Sequence, residues 1–103
     1  MANYVLVYHG GAMPQTQEAG AQIMQAWTDW FSVLGDALVD GGNPASKTRR
    51  IGADGSVSDD ASGPSGYSIL KADSLDAAVE LAKGCPVLAD GASVQVVETF
   101  NAM

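Results

Sequence analysis

The segment that most restricts what this chain can fold into is Asn3-Tyr4-Val5-Leu6-Val7-Tyr8-His9. It is rich in β-branched and aromatic residues and Gly10-Gly11 ends it, so it reads as a strand. Its apolar residues occupy consecutive positions, and successive strand side chains point to opposite faces, so both faces require cover. A chain of 103 residues has material for one core. Two helices can cover one face of a small sheet. The other face needs either a second copy of the protein, meeting the first sheet to sheet, or a loop folded over it; the second copy is the simpler cover, so a homodimer is expected.

Pro14 and Thr16 open a stretch in which Ile23, Trp27, Trp30, Phe31 and Leu34 recur at three- and four-residue steps, the mark of an amphipathic helix ending near Gly35. Ala37-Leu38-Val39-Asp40 follows as a short strand, and Gly41-Gly42-Asn43-Pro44 carries turn residues. Residues 47–51 and 56–58 flank Ala53-Asp54-Gly55, whose Asp-Gly step suits a tight hairpin, so a small ribbon is expected there. Residues 59–65 read as an exposed loop, and Gly66-Tyr67-Ser68-Ile69-Leu70-Lys71 as a strand. Ser74 caps a second helix with Asp76 in its first turn and Leu75, Ala78, Val79 and Ala82 along its buried stripe. Gly84 provides its exit, Pro86 prevents its continuation, and residues 93–100 form the last strand. The order is β-α-β, an inserted hairpin, then β-α-β. This is the α+β, ferredoxin-like split βαβ-βαβ arrangement, which places both helices on one face of an antiparallel sheet.

Composition narrows the function. The formal charge of −7 is spread along the chain, which disfavours nucleic acid and anionic lipid as partners. The longest purely apolar run is residues 4–8, far short of the roughly 20 residues that span a bilayer, so a soluble, cytoplasmic protein without membrane association is expected. Cys85 stands alone and His9 is the one histidine, which removes a disulfide scaffold and a structural zinc site. Gly10-Gly11 and Gly41-Gly42 lack the spacing and lysine of a phosphate loop, and Gly63-Pro64-Ser65-Gly66 is not a nucleophile elbow. No cofactor and no metal are expected.

A short set of side chains carries what chemistry is left. His9 is a candidate for proton transfer because imidazole titrates near neutrality, and its alternative role is a polar strand end. Asp40, at the start of a glycine-rich turn, is a candidate acid/base carboxylate, with capping of that turn as the alternative. Met24, Trp27 and Phe31 either line an aromatic substrate pocket or form the core that their helical spacing would build anyway. Arg49 lies in the one cationic cluster, Lys47, Arg49 and Arg50, and suits an anionic ligand or a carboxylate of a dimer mate. Cys85, at a helix C-terminus, is expected to be a packing residue.

Two blocks resemble a known family. Residues 66–78, Gly-Tyr-Ser-Ile-Leu-Lys-Ala-Asp-Ser-Leu-Asp-Ala-Ala, continuing through Leu81-Ala82-Lys83-Gly84-Cys85-Pro86, resemble the C-terminal signature of YCII-related proteins. Residues 35–44, Gly-Asp-Ala-Leu-Val-Asp-Gly-Gly-Asn-Pro, resemble the same family's second strand. The resemblance implies a ferredoxin-like domain of dimeric α/β-barrel architecture that dimerises through its sheet. It also implies an acid/base pair of a helix-one histidine and a nearby aspartate, and the family includes a dehydrochlorinase of aromatic degradation. Met24 stands where that histidine would lie, so the pair is not carried over. The expectation is a homodimer with a small-molecule pocket between sheet and helix one, acting on an aromatic or lactone-like compound. The alternative is a non-enzymatic dimeric module that binds a ligand or a protein.

Overall fold

A computed structural model describes residues 1–11, 14–60 and 62–102 of the chain. Its centre is β1, Ala2–His9, in which Tyr4, Leu6 and Tyr8 are buried while Val5, Val7 and His9 are half-buried. Helix α1, Gln17–Leu34, is started by the Thr16 hydroxyl, which accepts the Ala19 N–H at 3.0 Å. It ends where Gly35 adopts φ 54° and returns its N–H to the Phe31 carbonyl. Trp30 and Leu34 are its buried residues, with Trp27 and Phe31 packed beside them. A 3-10 turn, Gly35–Ala37, leads into β2, Leu38–Asp40.

The expected ribbon is present as β3, Arg49–Ile51, and β4, Val57–Asp59, joined by a turn with Gly55 at φ 86°. The chain returns through β5, Gly66–Ala72, whose inward residues Ser68, Leu70 and Ala72 are buried. Helix α2, Leu75–Ala82, is capped by Ser74, whose hydroxyl accepts the Ala77 N–H at 3.1 Å, and it buries Ala78 and Ala82. A 3-10 turn at Pro86–Asp90, which the sequence did not announce, precedes β6, Ser93–Glu98. The last strand stops short of Phe100 because β1 has little left to pair with. The N–H and hydroxyl of Thr99 both donate to the Asn3 carbonyl, and Phe100 lies exposed beyond.

The four-stranded antiparallel sheet has the order β2-β5-β1-β6. Each helix therefore joins two strands that have one other strand between them. The buried residues of α1 pack with Leu6, Tyr8 and Leu70, and those of α2 with the same group and with Tyr4 and Ala72. Both helices thus cover the same face. On the other face Val5 sits between Ile69 and Val97, and Val7 between Tyr67 and Gln95. The helices leave this face open.

Between β2 and β5 the chain runs out and back as one long interrupted hairpin. Pro44 bridges Gly66, the Ala45 N–H donates to Ser65, the Asp60 N–H donates to Thr48, and β3 and β4 extend the ladder outward. This arm flattens and lengthens the molecule to 44 × 38 × 18 Å. Its radius of gyration, 15.1 Å, exceeds the roughly 13 Å of a compact domain of this size.

Two glycines make the arm possible for different reasons. Gly55 has φ 86° with open space around a would-be Cβ, whereas Gly42 has φ 75° and a Cβ there would collide with the Tyr67 carbonyl. Gly55→Ala is expected to cost about 1 kcal/mol for the left-handed backbone alone, and Gly42→Ala about 3 kcal/mol because the collision adds to it. Denaturant midpoints of the two variants check this, and equal costs would mean that the turn at Gly42 relaxes freely.

Candidate functional site

The space between α1 and the sheet is filled by the chain's own aromatic rings. Trp27 lies edge-on to Tyr8 with ring centroids 5.5 Å apart, and it contacts Trp30 and Phe31 at 5.6 Å each. Such offset and edge-on pairs suit the ring quadrupoles. The Trp30 indole N–H donates to the Leu81 carbonyl at 3.2 Å, which ties α1 to the end of α2. Phe31 lies over Gly41, where a Cβ would come within 3.1 Å of the ring.

Beneath these rings runs a buried chain of hydroxyl groups. Tyr8 donates to Ser68 Oγ at 2.8 Å, and Ser68 donates to the Gly41 carbonyl at 2.8 Å. The chain crosses from β1 through β5 to the turn after β2. Among the described residues no buried side-chain nitrogen or oxygen lacks a partner, so the network is satisfied as it stands. Burial pushes the Tyr8 hydroxyl well above the ordinary phenol value, and burial likewise pushes the neighbouring Cys85 thiol up. Both groups are held protonated and inert at neutral pH. Ser68 and the hydroxyl role of Tyr8 were missed in the sequence. The signal available was phase, since Ser68 stands two residues from Leu70 on the strand's inward side.

The open volume lies on the other flank of α1, against the 3-10 turn at Pro86–Asp90. It is a shallow groove of about 690 Å³ with Ile23, Ala26, Trp30, Val33 and Pro86 along it, and Asp29 and Asp90 also at its surface. Its walls are apolar and its charge is negative. Neither Asp40 nor His9 reaches it.

The six residues singled out from the sequence fall in separate places. His9 belongs to the open face of the sheet, opposite Ser93, and its Nε2 lies 3.3 Å from Gln95 Oε1. Asp40 stands on the edge strand opposite Ile69, exposed, and its Oδ1 accepts the Gly42 N–H at 2.8 Å. It caps the glycine turn. Trp27 and Phe31 belong to the ring cluster, while Met24 is 67% exposed on the outer surface of α1. Arg49 lies out on the arm, paired with Asp59 at 3.4 Å, with both side chains well exposed. The geometry brings Trp27 and Phe31 together and leaves the other four apart. Among the described residues no group of three His, Cys, Asp or Glu side chains is placed to hold a metal ion.

The hydroxyl chain makes stability depend on alkaline pH. Tyr8 and Cys85 have higher values folded than in the unfolded chain, where 10.0 and 9.0 apply, so the folded state binds their protons more tightly. Their contribution is complete below the unfolded values and is lost as pH rises through the folded ones. Denaturant midpoints should therefore hold steady near neutrality and fall from about pH 9 upward. Tyr8→Phe should make that fall shallower and should lower neutral stability by about 1 kcal/mol through the lost hydrogen bond. An alkaline limb unchanged in Tyr8→Phe would mean that the hydroxyl is hydrated in the folded protein.

No protein-family model matches the chain, and no curated protein and no solved structure matches it either.

Proposed function

We propose that this chain is a ferredoxin-like, YCII-related domain that works as a sheet-to-sheet homodimer and binds a small neutral aromatic or lactone-like molecule beside α1. The observation that carries the binding function is the groove of about 690 Å³ between α1 and the Pro86–Asp90 turn, apolar along most of its length with the Trp30 ring in its wall. Apolar clefts with a few polar groups are the usual form of a small-molecule site. Asp29 and Asp90 favour a neutral ligand over an anion, since an added carboxylate would meet two negative charges.

The ferredoxin-like assignment is supported by the strand order and by helices that each skip one strand. Dimerisation is supported by the open face, where Val5, Val7, Ile69 and Val97 form an apolar centre and Asn3, Lys71, Gln95 and His9 stand around it. A polar rim about an apolar centre is the usual anatomy of an interface. A second reading, a dimeric module that binds without turnover, is favoured by Asp40 and His9. The Asp40 carboxylate is committed to its own turn and the His9 ring is engaged with Gln95.

Sedimentation equilibrium at micromolar concentration should give twice the 10.6 kDa chain mass. Val7→Glu should give a folded monomer, because a carboxylate cannot be buried at a paired apolar face without a partner. A monomeric wild type would remove the homodimer.

For the groove, a neutral bicyclic lactone should change tryptophan emission on titration, and the matching aromatic carboxylate should bind about tenfold more weakly or less. Ala26→Phe, which fills the groove, should abolish the change while leaving the dimer intact. A titration unaffected by Ala26→Phe would place the ligand elsewhere.

A further inference from the structure

The β3–β4 arm has no evident structural duty within its own chain. The two strands have one another as their principal neighbours, and all of their residues are exposed. A free two-stranded ribbon is marginal in water and needs a surface to pack on. On this ribbon Ile51 and Val57 stand directly opposite each other, 72% and 60% exposed. Ordinary hairpin chemistry explains the tip, where Asp54 accepts from the Ser56 N–H and hydroxyl, but it does not explain an apolar pair held out in solvent.

We infer that the arm is an embracing element: the Ile51/Val57 pair of each copy packs on the body of the other copy in the homodimer. This rests on the homodimer proposed above. Two observations select a second copy as the occupant. The first is continuity, since the arm is the outward extension of β2 and β5 and so leaves the molecule at the edge of the open sheet face. The arm therefore starts beside the face on which a mate would sit.

The second is charge. Three of the five cations, Lys47, Arg49 and Arg50, are in the arm, balanced there by Asp54, Asp59 and Asp60. The rest of the chain sets Lys71 and Lys83 against the nine other acids and carries the whole net charge of −7. The arm thus carries exposed cations with no net charge of its own, so it approaches an identical acidic body without net repulsion. Its cations are also available for exchange: Arg49 and Asp59 are 75% and 93% exposed at 3.4 Å, a pair that contributes little by itself. By contrast, Arg50 is fixed by two bonds to Asp60, which Ser62 also holds, so the two sides of the arm are tied together while the exposed Arg49–Asp59 pair beside that tie is free to exchange. A clamp of this kind raises affinity through added buried area and leaves the sheet contact unchanged.

The test compares three full-length proteins by sedimentation equilibrium and amide hydrogen exchange: wild type, Ile51→Ser/Val57→Ser and Val7→Glu. In the wild type, amides of residues 49–51 and 57–59 should be protected at high concentration and should lose that protection on dilution. The arm double variant should keep its fold, lose the arm protection, and dimerise about tenfold more weakly. Unchanged dimerisation with unchanged arm protection in the double variant would overturn the inference. So would arm protection that persists in a monomer, which would place the arm on its own body. If Val7→Glu remains dimeric while the arm variant dissociates, the arm stands and the sheet-face interface falls; a wild type monomeric at every concentration removes both.

Discussion

Removing the inward side chains of β1 from water is the interaction on which the other layers depend. Tyr4 and Leu6 are among the largest fully buried side chains, and both helices close on that same row. Burying side chains of this size contributes on the order of 2 kcal/mol each, which a domain of marginal stability cannot lose. β1 also has a strand on each side along most of its length, so its backbone groups are satisfied in the ladder and the edges fall to β2 and β6. The small residues of α2, Ala78 and Ala82, let that helix approach the sheet closely, and the rings of α1 fill the wider gap beside it.

A second constraint is polar and sits inside this apolar layer. The chain from Tyr8 through Ser68 to the Gly41 carbonyl links the central strand to the turn that leaves the edge strand. Edge strand β2 is only three residues long, and its pairing with β5 shifts between Leu38 and Asp40. A short, irregular strand has few ladder bonds to hold its register. The buried hydroxyls supply a directional anchor at its exit, and Phe31 lies on the same glycine from above. The cost of leaving any one of these hydroxyls unpaired is what gives the anchor its specificity.

The two sides of the sheet therefore serve different ends. The helix side is occupied by rings and satisfied hydroxyls, and the open groove lies on the flank of α1, against the Pro86–Asp90 turn. The open side presents valines and an isoleucine. Acidic charge is spread over the body, whereas the arm is balanced in charge.

Local signals in the sequence were sufficient for the two helices and the strands, though not for the 3-10 turns. Thr16 and Ser74 cap helices because their hydroxyls accept the orphan N–H groups of a first turn, and that chemistry acts over three residues. Asp54-Gly55 makes a hairpin for an equally local reason, the positive φ that glycine allows. The α+β class and the ring stripe on α1 were legible in the same way, from periodicity. The site was not, because its members meet only through pairings distant in the chain. Ser68 becomes a buried donor when β5 is set between β1 and β2, and Asp40 becomes a turn cap when the edge strand slips its register. His9 is separated from the rings of α1 by the sheet itself, since strand alternation sends it to the face opposite Tyr8. Local chemistry along the sequence determined where helices, strands and turns begin; which side chains share a cavity or an open face was decided by strand order and register, because only these bring residues 27, 60 and 86 positions apart into contact or hold them away.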